Sequence, residues 1–217
     1  MTETNITNHM FTGIVKGLGT VVAIDRREGF LDITVNVGNV LSIPEIGASV
    51  AIDGVCLTVI EIDQSPLSPP INGGRPEVHL KFSVMEETLE KTTVGDRKVG
   101  DRVGLEQPLK MGDEFGGHMV LGHVDGVGII VKKETDGENC WVTIAAPEFF
   151  VKYIVQKGSI AIDGISLTIC DPAPKNGGVE FSVSLLPLTL SLTTLGFKGV
   201  GDRVNLEADY VLKAMVK

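Results

Sequence analysis

Cys56 stands in the segment Asp53-Gly-Val-Cys-Leu-Thr-Val59, and the same frame returns as Asp163-Gly-Ile-Ser-Leu-Thr-Ile169, with Ser166 in the cysteine's place. A thiol is a nucleophile when ionised and a small apolar packing group when it is not, so both roles are open for Cys56. Cys140 and Cys170 lie outside the repeated frame and read as packing residues. The second chemistry-bearing segment is Gly116-Gly-His-Met-Val-Leu-Gly-His-Val-Asp125, which sets His118 and His123 five residues apart. On an extended strand such a pair points to opposite faces, and no Cys or carboxylate sits at ligand spacing, so a zinc site is not expected. A neutral imidazole suits general-base work near neutral pH, and the flanking glycines let the backbone approach a flat heterocycle. The alternative is a histidine satisfied at a junction between units. His79 and His9 lack such context and read as bystanders. Asp53 and Asp163 each precede Gly, where the ordinary role is to make a turn. Lys157 has no basic counterpart, because Gly47 stands at the matching place. Glu106, Glu207, Asp101 and Asp202 occur near Arg102 and Arg203 in turn-and-strand patterns and read as structural. There is no phosphate-binding loop of the G-x-x-x-x-G-K-[ST] type, and the glycines from 13 to 19 open no helix, which argues against a dinucleotide site.

The elements that must hold these residues come from a tandem repeat. Residues 49–59 match 159–169 at 7 of 11 positions, with Val and Ile exchanged at three of the other four. Residues 88–106 match 189–207 at 12 of 19 positions, and 10–22 aligns with 119–131 on Met10/Met119, Gly13/Gly122, Val15/Val124, Gly17/Gly126 and Gly19/Gly128. The chain accordingly divides into an extension at 1–9, expected to be flexible, an N-terminal unit at 10–106, a C-terminal unit at 107–209 and a short helix at 210–217. Short β-branched runs at 20–24, 31–37, 49–52, 57–62 and 78–84, punctuated by Gly, Asp, Asn and Pro, predict strands. Six strands in a unit of this size, with no long amphipathic helix, predict an all-β fold of two tandem six-stranded Greek-key barrels, since closure removes exposed edges. Short helices are predicted at 85–93, with Ser83 and Glu86 as a capping box, at 187–195, with Pro187 at a first helical position, at 147–156, and at 211–216. The segments 65–76 and 171–178, rich in Pro, Asn and Gly, read as turns of unequal length at equivalent places. Two equivalent pockets suit a reaction that consumes two copies of one substrate, although a repeat can also be purely structural.

Composition narrows the partners. A formal net charge of −9 without a Lys/Arg-rich run argues against nucleic acid or an anionic membrane and for a small molecule. With 43% hydrophobic and 22% charged residues a buried core is expected. Three cysteines without a CxxC pair fit a reducing compartment. The absence of a run of roughly 20 apolar residues, and of a basic, apolar leader in MTETNITNH, predicts a soluble intracellular protein, cytoplasmic or in an organelle stroma after loss of a transit peptide.

Met10-Phe-Thr-Gly-Ile-Val15, Asp53-Gly-Val-Cys-Leu-Thr-Val59, the segment 116–125 and Lys157-Gly-Ser-Ile-Ala-Ile-Asp-Gly-Ile-Ser-Leu-Thr168 together resemble the signature segments of the riboflavin synthase family, over residues 10 to about 209. The resemblance implies dismutation of two 6,7-dimethyl-8-ribityllumazine molecules to riboflavin and 5-amino-6-ribitylaminouracil, a four-carbon transfer without cofactor or metal. It also implies a homotrimer with each active site between subunits, and an association with lumazine synthase as a further partner. By the same resemblance the active-site positions are Ser49, Cys56, His123, Lys157, Asp163 and Ser166, with Phe11 near the ring. Ligand contacts in the first half fall on Gly13, Ile14 and Val15, on Cys56, Leu57 and Thr58, and on Ser83, Val84, Met85, Glu86, Glu87 and Thr88. In the second half they fall on Gly122, His123 and Val124, on Lys157, on Ser166, Leu167 and Thr168, and on Ser184, Leu185, Leu186, Pro187, Leu188 and Thr189. His123 is the expected proton-transfer group, and Cys56, Ser49 or water the nucleophile that adds to the second lumazine. Leu188 stands where the family often has a polar residue, and the chain stops soon after its last helix. Two rivals are a non-catalytic lumazine or flavin antenna protein, which typically lacks the Cys-Leu-Thr and double-His segments retained here, and an interaction module without a small ligand.

Overall fold

A computed structural model describes residues 10–63, 77–137 and 139–216. The expected flexible extension at 1–9 and the segment 65–76 lie outside the described residues. The first half consists of β1 (Gly17–Arg27), β2 (Phe30–Asn36), β3 (Ser49–Ile52), β4 (Val55–Asp63), β5 (His79–Met85) and β6 (Arg102–Glu106), and these close into a barrel in the order β1-β2-β5-β4-β3-β6. Alternation decides which side faces in: on β2, Leu31, Ile33 and Val35 are fully buried, and they meet Val21, Val50, Val59, Leu80, Phe82, Val103 and Leu105 from the other strands. Helix α1 (Glu86–Lys91) follows β5, as expected, but the capping box does not form. Ser83 is still in the β2–β5 ladder opposite Asp32, and the N-cap is Met85, without a side-chain cap.

The second half repeats the order with β7 (Gly126–Asp136), β8 (Asn139–Pro147), β9 (Ser159–Ile162), β10 (Ile165–Thr168), β11 (Cys170–Lys175), β12 (Gly178–Leu185) and β13 (Arg203–Ala208). Even the bulge is copied: β1 shifts register between Val21 and Ala23, and β7 between Ile130 and Lys132. The expected second six-stranded barrel is instead a curled seven-stranded sheet, β10-β9-β13-β7-β8-β12-β11, whose two edges are consecutive in the chain. The counterpart of β4 is interrupted at Ile169, between β10 and β11, and β11 shifts register between Cys170 and Ala173, where Asp171 takes φ +50° and Pro172 has no N–H to give a ladder. The turn expected at 171–178 is largely the strand β11 and its hairpin into β12. Helix α2 (Pro187–Leu192) starts with Pro187 in its first turn, as expected, and α3 (Tyr210–Met215) is capped by Asp209, whose carboxylate accepts from the Val211 and Leu212 amides. The helix expected over 147–156 reduces to a single 3-10 turn, Glu148–Phe150. Phe150 is fully buried and Ile154 nearly so, while Phe149, Val151 and Val155 face outward, so the apolar run anchors a surface turn at two points only. Among the described residues no helix is long and apolar enough to cross a membrane.

The halves join through arms that precede β1 and β7. Phe11 and Val120 form an antiparallel bridge, with Phe11 N–H donating to the Val120 carbonyl at 2.8 Å and Val120 N–H returning at 3.1 Å. Phe11, Ala51, Val120 and Ala161 make a small core of their own between the two larger ones.

Candidate active site

The arms cross. Val15, from the first half, packs in the core of the second, and Val124, from the second, packs against the core of the first. At the tips, Ser166 N–H donates to the Gly13 carbonyl at 2.8 Å and Cys56 N–H donates to the Gly122 carbonyl at 2.9 Å. Both glycines are required. Gly13 (φ +76°) and Gly122 (φ +74°) lie in the left-handed region, and a Cβ on them would stand 2.7 Å from the Ser166 Cβ and 2.5 Å from the Cys56 Cβ. The grouping of contacts by half is therefore exchanged: the 13–15 arm meets Ser166, and the 122–124 arm meets Cys56.

Two glutamates hold the arms. Glu207, buried at the end of β13, accepts from the Leu121 and Gly122 amides at 2.8 and 3.0 Å, and Glu106, at the end of β6, accepts from the Thr12 amide and hydroxyl at 2.9 and 3.1 Å. Burial raises both carboxyls above their usual range, Glu207 from 4.5 to about 7, with nearby Asp125 adding to the rise and the amides and Lys213 opposing it. Their role was not expected from the sequence, where they read as generic structural carboxylates. The signal was there in their recurrence at the end of the same strand in both copies, each paired with a Gly-x-Val arm.

The result at Cys56 is an open cleft of about 270 Å³, lined by Val55, Cys56, Glu87, Thr88, Lys91, Thr92, Gly122, His123 and Val124. It brings together residues from β4, α1 and the second half's arm. His123 is exposed there, and a Glu87–Lys91 ion pair of 2.6 Å sits on the α1 rim. Burial pushes the Cys56 thiol up; Ser49, hydrogen-bonded to it from the neighbouring strand, works the other way, and the Glu207 charge adds to the rise. Cys56 is thus kept as a thiol at neutral pH rather than activated as a thiolate.

The matching position in the second half is occupied differently. His118, buried, holds the Ser166 hydroxyl with Nδ1 at 2.7 Å, and its Nε2 is buried without a hydrogen-bond partner among the described residues. Burial lowers the His118 pKa, so the ring is neutral. His118 and His123, expected on opposite faces, go to different partners, His118 to Ser166 and His123 to the Cys56 cleft. Among the described residues no three His, Cys, Asp or Glu side chains group as metal ligands.

Several sequence-predicted positions are elsewhere. Asp163 is fully buried between the Lys198 ammonium at 2.5 Å, the Thr194 hydroxyl at 3.2 Å and the Asn205 amide at 2.8 Å, away from the Cys56 cleft. Phe11 is in the inter-half core. Lys157 is exposed at φ +64°, its amide donating to the Ile169 carbonyl at 2.9 Å as Gly47 does to Val59, and it does not line the Cys56 cleft of this single chain. Leu57, Val84 and Leu185 point into the barrel cores, whereas Thr58, Met85, Glu86, Thr168, Leu186, Pro187 and Leu188 are exposed; Ser83, Leu167, Ser184 and Thr189 are half-buried.

Comparison with known proteins bears on this arrangement. The lumazine binding domain matches the chain twice, at residues 12–108 and 121–209. Riboflavin synthase from Escherichia coli (strain K12) is 42% identical over 210 residues, covering 95% of this chain and 90% of that one. The enzyme of the same name from Buchnera aphidicola subsp. Schizaphis graminum is 41% identical over 209 residues, covering 95% and 92%. Among solved structures, LumP complexed with 6,7-dimethyl-8-(1'-D-ribityl) lumazine superposes with a TM-score of 0.74 at 23% identity over 91% of this chain and 98% of that one, and the LumP complex with riboflavin gives 0.75, also at 23%. These two establish likeness of fold.

Proposed function

The chain belongs to the lumazine-binding family of riboflavin synthases, and from that premise we infer how its own residues carry the reaction. The enzyme is a transferase: two 6,7-dimethyl-8-ribityllumazine molecules give riboflavin and 5-amino-6-ribitylaminouracil, one donating a four-carbon unit to the other. Atoms balance without an oxidant, because the electron-poor lumazine is its own electron sink.

The observation that carries the assignment of the site is the meeting of Cys56, from the first half, with His123, from the second, on one cleft. In this reading His123 takes the proton from a C7 methyl group. It is exposed at the cleft, where its ring nitrogens can reach a bound ligand. The resulting anion attacks a second lumazine activated by addition at C7. The elevated thiol of Cys56 favours water as the adding nucleophile, with Cys56 and Ser49 shaping its place. Holding two flat rings face to face contributes several kcal/mol by orientation alone.

A cleft of about 270 Å³ is at the small end for a single ligand, so the second substrate needs a facing surface. A neighbouring subunit of a homotrimer supplies it in this reading, and Lys157 and the exposed Leu186 and Leu188 are candidates to line it. Tyr210, Val211 and Met215 of α3, exposed in the single chain, are an apolar surface for that assembly. Cytoplasmic location and association with lumazine synthase belong to the same reading.

The test is incubation of the purified protein with 6,7-dimethyl-8-ribityllumazine alone, followed by absorbance and chromatography. Riboflavin formed at half the lumazine consumed is the expected result. Tight binding without turnover would move the protein to the antenna class.

A further inference from the structure

The interface between the halves is nearly symmetric in its backbone, and one departure from that symmetry, at Asn205, lies behind the Cys56 cleft. Asp53 (φ +46°) and Asp163 (φ +47°) precede Gly54 and Gly164 (both φ +77°), whose backbones approach so closely that a Cβ on Gly54 would stand 2.4 Å from the Gly164 nitrogen. Each aspartate accepts a backbone amide from the last strand of its own half, Gly104 to Asp53 at 2.7 Å and Asn205 to Asp163 at 2.8 Å. Each also holds a cation, Arg97 at 2.9 Å and Lys198 at 2.5 Å.

Gly104 and Asn205 are equivalent positions, and only the second has a side chain. That side chain, buried to 1% exposure, crosses to the other half. Its Nδ2 donates to the Asp53 carbonyl at 2.8 Å, and its Oδ1 accepts from the Thr93 amide at 2.7 Å. Asp53 begins the turn that leads to Val55 and Cys56, and Thr93 follows Thr92 at the end of α1; these are two walls of the cleft. Two residues further along β13, on the same face of the strand, Glu207 holds the Leu121 and Gly122 amides, and with them the third wall, which carries His123. On β6, the first half's equivalent strand, Glu106 holds the opposite arm at Thr12, and Gly104 offers no side-chain tie.

We propose that Asn205 is a positioning residue for the Cys56 cleft, which together with Glu207 makes β13 the gauge that sets the Cys56 turn, the end of α1 and the His123 arm at fixed spacing. This rests on the reading of that cleft as the reacting site. β13 thus sends two side-chain ties to the Cys56 cleft, from Asn205 and Glu207, where β6 sends only that of Glu106 to the opposite arm. A dismutation asks for this difference, since one substrate must be held still while the other is brought to it.

The experiment uses the full chain with Asn205→Ala, and with Asn205→Gly as a second variant, which copies the arrangement the first half already folds with at Gly104. Backbone hydrogen exchange is compared over residues 53–58, 121–124 and 163–168, and kcat and KM are measured in the wild-type and His123→Ala backgrounds. The expected result is faster exchange over 53–58 and 121–124 with 163–168 unchanged, because the Asn205 backbone bond to Asp163 survives the substitution. With it, kcat falls on the order of tenfold to a hundredfold at little change in KM, and the same substitution in His123→Ala costs less than about threefold further, as for residues that act through one site. Equal acceleration over 163–168, or fold-losses that multiply across the two substitutions, would overturn the proposal and leave Asn205 as a general interface residue. If His123→Ala alone keeps full kcat, the reading of the site fails, and the exchange contrast still decides the role of Asn205.

Discussion

Replacing Glu207 by Gln converts a buried titrating group into a neutral one of the same shape. In the folded protein burial raises the Glu207 carboxyl from 4.5 to about 7, with Asp125 adding to the rise and Lys213 and the two amides opposing it. A group whose folded pKa lies above its unfolded value stabilises the fold fully below the unfolded pKa, and that contribution is lost as pH rises through the folded pKa. The wild type should therefore lose stability between about pH 4.5 and just above 7, relative to Glu207→Gln. A shift of this size corresponds to roughly 3 kcal/mol. Glutamine offers one acceptor for two amides, so the variant also carries a constant cost of about 1–2 kcal/mol that does not vary with pH. The two effects separate in urea denaturation of both proteins at intervals from pH 4.5 to 8.5, because only the first varies with pH. A difference in unfolding free energy that grows in favour of Gln by roughly 3 kcal/mol with rising pH is the expected result. A difference constant within about 0.5 kcal/mol would refute the claim that Glu207 holds its arm as a destabilised, buried acid.

Gly122→Ala forces a Cβ to 2.5 Å from that of Cys56 at φ +74° and should cost about 2–5 kcal/mol, whereas Gly47→Ala, in open space opposite a counterpart that is already Lys157, should cost less than about 1; thermal unfolding of the pair measures the contrast. Lys198→Met strands the buried Asp163 carboxylate and should destabilise by about 3–5 kcal/mol, with most of that returned by adding Asp163→Asn, read by urea denaturation. Alkylation of Cys56 by iodoacetamide at pH 7.5 should be slow in the wild type and faster in Glu207→Gln, because the variant removes a negative charge that raises the thiol; mass spectrometry of the labelled peptide follows it.

The repeat was legible residue by residue, because identical Gly, Asp and Arg positions recur with fixed spacing and the strands between them alternate. Five of the first half's strands stand within a few residues of where alternation puts them. What alternation does not carry is the partner of a loop. The arms at 11–15 and 120–124 read as belonging to the strands that follow them, and only the three-dimensional pairing of the copies shows that each serves the other half. The same limit hid Glu106, Glu207, His118 and Asn205, whose contacts lie between 48 and 152 residues away. Asp163, an active-site position by resemblance, has its carboxylate engaged in this chain by Lys198, Thr194 and the Asn205 amide, partners that its sequence context as a turn residue does not announce. At 147–156 the apolar spacing imitates a helix because Phe150 and Ile154 reach the core from a turn.

The crossed arms make this chain a self-complementary pair joined by a tether. Each half supplies its own pocket floor and borrows the covering loop from its twin, which is the geometry of a two-fold homodimer contact. Between separate identical chains, any residue improved in one pocket would be imposed on the other. Joining the copies in tandem removes that obligation, and the differences follow it: cysteine against serine at 56 and 166, histidine against isoleucine at 123 and 14, glycine against asparagine at 104 and 205. Covalent linkage is what allows the two pockets to differ while the contact between their backbones stays nearly symmetric. Expressed as two separate polypeptides, the halves should recover the Cys56 cleft only when mixed, since neither carries both the floor and the loop.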